Sequence, residues 1–172
     1  VGNNFINNWG DANYGLLLKD ISFSKIKHNR FHNNTTAIYL DGATKIDLFS
    51  NDFENNGWGM KISSNCMENK VIHNNFINNV FDVGTSGTMN MNDFRKNYWD
   101  KYEGYDLDKN KIGDVPFHPL SLYAVLVESN PSVMLLFRTF FVDLLDKTEK
   151  IIPSLTPENF IDQEPLMKKI TI

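Results

Sequence analysis

The hexapeptide Asn3-Asn4-Phe5-Ile6-Asn7-Asn8 recurs letter for letter at Asn74-Asn75-Phe76-Ile77-Asn78-Asn79, 71 positions later. A functional loop has no reason to repeat itself, and a disordered tract holds no phase. The interval therefore reads as about three turns of a structural period. Looser copies fill the gap and extend it: Asn29 to Asn34, Asn51 to Asn56 and Asn92 to Asn97 all obey N-x-F-x-x-N. The phenylalanines Phe5, Phe31, Phe53, Phe76 and Phe94 are spaced 26, 22, 23 and 18 apart, which sets a unit near 22 residues with variable loops.

Short β-rich pieces lie between the motifs (Leu16 to Leu18, Ala37 to Leu40, Met60 to Ile62), and a second set precedes them (Ile26, Ile46 to Leu48, Val71-Ile72). Two or three short strands per unit, without helices, predict an all-β solenoid in which successive coils stack as parallel strands. The expected fold is a right-handed parallel β-helix. In N-x-F the Asn and Phe share parity and face the same way. Stacked asparagines then pass amide hydrogen bonds from coil to coil, with stacked phenylalanines beside them. The Asn three places after Phe has the opposite parity, so a corner falls between them, in the left-handed conformation that Asn tolerates.

The 172 residues suit one domain with a sizeable core. Aromatic residues at 13% and charged residues at 22% exclude a disordered chain. A net charge of −4 argues against nonspecific nucleic-acid binding, and no nucleic-acid partner is expected. That charge belongs to the last 75 residues, since the first 97 carry 9 basic and 9 acidic side chains. Cys66 is the single cysteine, so no intramolecular disulfide forms and the redox compartment stays open. Because the chain begins inside a repeat, it is expected to be the C-terminal part of a longer protein.

The repeats are expected to occupy residues 1–97 and end at Asn97-Tyr98-Trp99, where Tyr98 and Trp99 begin a cap over the exposed strand edges. An aromatic and acidic capping loop is expected over 98–119 and a helical cap and tail over 120–172. Leu120 to Ser129 and Pro131 to Lys150 read as helices, the second with Asn130 as N-cap and Pro131 at its first position. The second is apolar nearly all round, which marks a buried or interface helix, and it is too short and too interrupted to span a membrane. Pro153, Pro157 and Pro165 mark an extended tail, with a helical turn expected at Thr156-Pro157-Glu158.

The coils resemble the broad class of carbohydrate-binding and sugar-hydrolase β-helices. A more specific resemblance rests on Asn97-Tyr98-Trp99-Asp100-Lys101-Tyr102-Glu103-Gly104-Tyr105-Asp106 and Ile112-Gly113-Asp114-Val115-Pro116-Phe117. The Leu135-Leu136 helix, Thr156-Pro157-Glu158 and Glu164-Pro165-Leu166-Met167 follow in the same order. This order is similar to the C-terminal part of the NosD family, periplasmic maturation proteins for the copper sites of nitrous oxide reductase. The resemblance implies a periplasmic protein, peripheral to the inner membrane, that is not an enzyme. Its implied partners are an ABC-type membrane permease with its ATPase, a copper-carrying lipoprotein that supplies the metal, and the reductase that receives it. One departure is Lys111, where the family's loop carries Gly.

Copper(I) favours thioether and thiolate ligands, with imidazole as a third, so the candidates are Met60, Cys66, Met67, Met89, Met91, His28, His32, His73 and His118. Repeat register assigns Met60 and Met89 to core columns. The column three before each Phe reads His28, Ser50, His73, Met91, so His73 and Met91 are expected on adjacent coils, able to share an ion, with Cys66 or Met67 nearby. The alternative is surface residues in coincidental register. Asp106, Asp108, Asn110 and Asp114 alternate oxygen ligands as calcium loops do, yet an EF-hand would have Gly at Lys111 and Glu at Phe117; the alternative is a polar turn.

Two rival functions remain in view: a carbohydrate-binding or carbohydrate-active solenoid, and an inert structural one. A lyase or hydrolase needs two converging carboxylates, and Asp47, Asp52 and Glu54 are scattered around a corner with no basic cluster beside them. Phe137, Phe140, Phe141, Leu144 and Leu145, rimmed by Arg138, Asp143, Asp146 and Lys147, are expected to leave an apolar patch for a partner, the permease. The alternative is that the tail from Ile151 to Ile172 folds back and buries it.

Overall fold

The computed structural model describes residues 1–87, 91–137, 139–151 and 160–172, with only the backbone described at 143, 146 and 149–151. The first coil contributes β1 (Asn4–Ile6), β2 (Tyr14–Lys19) and β3 (Lys25–Lys27). The second contributes β4 (Arg30–His32), β5 (Thr36–Asp41) and β6 (Asp47–Phe49), and the third β7 (Asp52–Glu54), β8 (Trp58–Ile62) and β9 (Met67–Ile72). The fourth contributes β10 (Asn75–Ile77), β11 (Phe81–Thr85) and β12 (Met91–Arg95), and β13 (Tyr98–Trp99) opens a fifth turn. Like strands pair with like, all in parallel. The first sheet runs β1-β4-β7-β10-β13, the second β2-β5-β8-β11, the third β3-β6-β9-β12. The fold is the parallel β-solenoid that the hexamer predicts.

Two columns of side chains hold the coils in phase. Phe5, Phe31, Phe53, Phe76 and Trp99 stack face to face with ring centroids 4.8, 5.0, 4.7 and 4.2 Å apart, the spacing of adjacent strands. Beside them the Nδ2 of Asn3, Asn29, Asn51 and Asn74 each donates to the Oδ1 of the next Asn, ending at Asn97. Each Oδ1 also accepts the backbone N–H of the Asn before it. A second ladder runs Asn8, Asn34, Asn56, Asn79. Between the two ladders stands a left-handed residue, Asn7, Asn33, Asn55 or Asn78, with φ from 52° to 61°. That is the expected corner. The ring stack leaves no room opposite it: a Cβ at Gly59 would lie 3.1 Å from the Phe76 ring and 2.9 Å from the Asp82 carbonyl.

The fifth copy of the motif sits elsewhere. Phe94 pairs with Val71, and Trp99 pairs with Phe76. Asn92 therefore belongs to a third, shorter ladder, in which Asn69 Nδ2 donates to Asn92 Oδ1 at 2.8 Å. Asn69 to Asn74 (N-K-V-I-H-N) and Asn92 to Asn97 (N-D-F-R-K-N) are the same corner one coil apart, 23 residues along. This corrects the expected spacing of 18 after Phe76. It also corrects Tyr98 and Trp99, which continue the first sheet as β13 rather than beginning a cap.

Each amide ladder is directional, so its last Nδ2 needs an acceptor, and in the two long ladders an Asp provides it. Asp162 Oδ2 accepts from the Asn97 Nδ2 and backbone N–H and from Trp99 Nε1, at 3.0–3.1 Å, while its Oδ1 accepts from the Lys96 N–H. Asp162 thus occupies the place of a further coil's asparagine. The tail around it does the same, bridging Asp162 to Phe94 and Leu166 to Tyr98 in parallel, with Phe160 buried against Phe94. Further on, Ile170 exchanges two hydrogen bonds with the Asn75 amide. The second ladder ends where Asn79 Nδ2 meets Asp82 Oδ1 at 3.3 Å. Burial pushes the Asp82 carboxyl up, and the Lys101 ammonium at 3.2 Å pulls against it. The same ammonium caps the Asn79 and Val80 carbonyls.

The helical part lies on the outer side of the second sheet. The helix α1 (Leu122–Ser129) has Ser121 as N-cap and buries Tyr123, Ala124 and Val127. Tyr123 packs on Phe81, and Glu128 pairs with Lys61 at 2.7 Å. The expected second helix is two pieces, a 3-10 segment at Pro131–Leu136 and α2 (Phe140–Ile151). Phe137, at φ −54° and ψ 134°, leaves helical geometry and ends the first piece. Asn130 caps it as expected, accepting from Ser132 N. The helical turn expected at Thr156 to Glu158 lies outside the described residues.

Removing the Asp162 carboxylate by Asp162→Ala strands several buried donors at once. The expected loss is about 3–5 kcal/mol, with Asp162→Asn losing less because one acceptor oxygen remains. Urea unfolding measures both, and a loss under about 1 kcal/mol for the alanine variant would show that the ladder is not closed there. Phe53→Ala, which interrupts the ring column, is expected to cost about 3–5 kcal/mol by the same measurement.

Candidate functional site

The third sheet turns a corner through a left-handed residue in its first three coils: Phe23, Lys45 and Glu68, at φ 55°, 55° and 57°. The column before that corner reads Ser22, Thr44, Met67, Met91. At the last step the corner disappears. Met67 pairs with Met91 and Lys70 with Asp93, so two residues of β9, Glu68 and Asn69, face the single Asn92 of β12, and Glu68 bulges. A depression of about 530 Å³ lies at this irregularity, lined among others by Lys45, Glu68, Lys70, Met91 and Asp93. Its charges are of both signs, Asp47 among them. Lys25, Asp47, Lys70 and Asp93 alternate in sign up one column. Lys45 lies 3.8 Å from Glu68, and Arg95 lies 2.6 Å from Asp93. Met91 adds a thioether to this lining, and Met67, exposed on the neighbouring strand, pairs with it.

This register corrects the expected pairing of His73 with Met91. Ile72 pairs with Arg95, so the fourth member of the His28, Ser50, His73 column is Lys96. Met91 stands beside Met67 instead, which precedes His73 by six residues on the other side of the Glu68 corner. The His73 ring stacks on Phe49 at 5.3 Å. Cys66, next to Met67 in sequence, points the opposite way into the core, and its S–H donates to the Leu40 carbonyl at 3.3 Å. Burial pushes its thiol up, keeping it protonated. Met60 sits in the core column with Ile38 and Val83, as expected. Met89 lies outside the described residues, and Phe94 fills the column position assigned to it. His32 faces Glu54 at 3.6 Å on the first sheet, and His118 is half-buried in the capping loop.

The acidic loop is a closed hydrogen-bonded turn. Asp106 accepts from the Asn110 and Lys111 N–H groups, Asp108 from Asn110, Asn110 from Ile112, and Asp114 from Leu107. Desolvation works to raise the Asp106 carboxyl, and the hydrogen bonds donated by the Lys111 and Asn110 N–H groups help hold it below its ordinary value. Lys109 and Lys111 both take left-handed φ here. Among the described residues, no group of three or more His, Cys, Asp or Glu could hold a metal ion.

A third feature is the outer surface of the helical part. Val142 is buried and Leu145 half-buried against the core, while Phe140 is 78% exposed and Leu135 86%. Phe141 and Leu144 are exposed beside them, and Phe137, also exposed, lies over Tyr123. Of the expected rim, Lys147 is exposed; Arg138 and the side chains of Asp143 and Asp146 lie outside the described residues. Among the described residues no helix is long and apolar enough to cross a membrane. The sequence alone pointed to the soft donors and the apolar helix. It missed the bulge at Glu68 and the regular 23-residue step from Asn69 to Asn92 beside it.

Residues 1–106 match the family model described as "Periplasmic copper-binding protein (NosD)". The chain is 28% identical over 175 residues to a Pseudomonas aeruginosa protein named "Probable ABC transporter binding protein NosD", covering 92% of this chain and 41% of that one. A Stutzerimonas stutzeri protein of the same name is 25% identical over 176 residues, covering 92% and 40%. The chain thus spans about two fifths of the length of the curated relatives it matches. Both names describe binding rather than catalysis, in keeping with the non-enzyme reading.

Because Cys66 is buried and its thiol held protonated, native-state alkylation at neutral pH is expected to be at least about a hundredfold slower than for an exposed thiol, and to become fast in urea. Mass spectrometry after timed iodoacetamide quenching follows it. Rapid native labelling would return Cys66 to the set of accessible metal ligands.

Proposed function

Since the chain belongs to the NosD family of periplasmic copper-binding proteins, we propose that it serves copper-site maturation of nitrous oxide reductase, handling copper together with an ABC-type permease and its ATPase. Copper here is cargo, taken from a copper-carrying lipoprotein and passed toward the reductase, and the chain works at the periplasmic face of the inner membrane. The observation that carries this reading is the helical surface with Phe140, Phe141, Leu135 and Leu144 exposed together. A solenoid needs a cap, but a cap needs only one apolar face. Here α1 and the inner side of α2 already supply it, through Tyr123, Val127 and Val142. The outward apolar face is surplus to stability and costs free energy in water. Clustered exposed aromatics of this kind are what a protein interface uses as anchors.

In this arrangement the solenoid is a rigid arm. The helical part docks on the permease, and the coils stand away from it, available to the copper donor and the reductase. The relatives' name, which ties them to an ABC transporter, supports the same partner class.

The Phe140→Asp variant tests the docking role. Phe140 is so exposed that the change leaves the core intact, so far-UV circular dichroism and the unfolding midpoint are expected to match the parent. Copurification with the permease and its ATPase is expected to be lost. Undiminished copurification would remove the helical face from the interface; loss of the β signal together with binding would make it a structural cap.

A further inference from the structure

We propose that the outer face of the third sheet pairs with the same face of a second copy of this chain. The two solenoids run antiparallel, about a twofold axis that passes between the second and third coils. The pairing goes beyond the proposed function and is separate from the helical surface.

Ile26, Leu48, Val71 and Phe94 form one inward column of this sheet, so the residues on either side of each face out. The column before them reads Lys25, Asp47, Lys70, Asp93, and its sign alternates from the first coil to the fourth. Such a column is complementary to itself when reversed. Turned end for end, it sets Lys25 against the partner's Asp93 and Asp47 against the partner's Lys70, and each pair occurs twice, as a twofold axis requires. Among the described residues, Lys25, Asp47 and Lys70 make no ion pair within the protomer, so these charges are free to be matched from outside.

The other columns obey the same symmetry. The second outward column reads Lys27, Phe49, Ile72, Arg95, so reversal lays Phe49 on the partner's Ile72 at the centre. At its ends Lys27 meets the partner's Arg95, a like-charged pairing softened on both sides. Lys27 lies 5.6 Å from the Phe49 ring centroid, and Arg95 is bound to Asp93. At the corner, Lys45 and Glu68 already pair at 3.8 Å, and their counterparts close a ring of four alternating charges. Phe23 holds the first place in that corner column and is 77% exposed. In the fourth coil the corner is lost, and the depression of about 530 Å³ lies there. Reversal therefore brings the Phe23 ring of each copy to the hollow of the other. Met67 and Met91, exposed along the same edge, come to face the partner's Thr44 and Ser22. Four coils at about 4.8 Å and six residues at about 3.3 Å span roughly 400 Å² on each copy. Doubled, that falls below the roughly 1,200–2,000 Å² of stable complexes, so the pairing is weak, with a dissociation constant on the order of 100 μM. It forms where the protein is concentrated and gives way to a tighter partner.

Sedimentation velocity of the whole chain, from about 5 μM to about 1 mM, is expected to show a monomer–dimer equilibrium that about 0.5 M salt weakens roughly tenfold. Asp47→Lys and Lys70→Asp are each expected to weaken dimerisation at least about tenfold while keeping the parent's circular dichroism. The double variant is expected to regain the parent's affinity, because the exchanged signs again face each other across the axis. In a mixture of ¹⁴N- and ¹⁵N-labelled chains, a carbodiimide is expected to join Lys25 of one copy to Asp93 of the other. Within one protomer these two are three coils, about 14 Å, apart, beyond the reach of a zero-length crosslink. A chain that stays monomeric throughout, or a double variant that remains as weak as the single ones, would overturn the proposal. So would dimerisation that survives Asp47→Lys and is lost in Phe140→Asp, which would move the contact to the helical face.

Discussion

The rest of the molecule depends on one constraint: an asparagine amide that donates to the next coil must be followed by something that accepts. Asn29, Asn51, Asn74 and Asn97 each satisfy the one before, through Oδ1 atoms that take both an amide and a backbone N–H. The Nδ2 groups of Asn51, Asn74 and Asn97 also reach back to carbonyls of the preceding coil, at Ile26, Leu48 and Val71. Buried polar groups are tolerated only when so satisfied, and a one-residue slip would leave a whole column unpaired. This is why register is set so firmly and why the phenylalanine rings fall face to face without further arrangement. It also dictates the ends. A coil can pass the demand on; only an acceptor without a donor of its own can stop it, and Asp162 and Asp82 stop the two long ladders.

That inward order frees the outward positions. With the coils held from inside, outer columns carry whatever function requires: alternating Lys and Asp on the third sheet, aromatic packing for α1 on the second, the Asn75 clamp for the tail on the first. The methionine pair sits at a corner where the strand register shifts. The apolar helical face lies at the other kind of irregularity, where the solenoid gives way to helices. Both candidate sites are thus departures from the repeat.

Much of this was legible in the residues. Phe31, Phe53 and Phe76 with their asparagines announce the columns, and the corner between Phe and the second Asn follows from parity. Legibility failed at Asn92 to Asn97, because two corners of the coil use the same chemistry. A motif defined at one corner matched the other, and the shift moved His73 beside Met91 on paper while the chain puts Met67 there. Asp162 was invisible for a different reason. A lone acid in a proline-marked tail carries no periodic signal, and its role exists only once the tail is folded onto Asn97. The break at Phe137 was hidden as well, since an unbroken apolar run looks the same whether one helix or two carry it. For the candidate site, donor type was readable and adjacency was not.

The distance along the chain at which Asp162 meets its partner has a kinetic consequence. Coil-to-coil hydrogen bonds join residues 22 to 26 apart, whereas Asp162 reaches Asn97 across 65. Loop entropy rises only slowly with such length, so the cap is not much dearer than a coil, but it must come last: the surface it binds does not exist until the coils beneath it have assembled. Until then the growing stack ends in open amides that any strand of suitable shape can occupy, including one from another molecule. Arrival of the tail closes that interval, and the protein's resistance to misassembly is therefore governed by how fast its final segment docks.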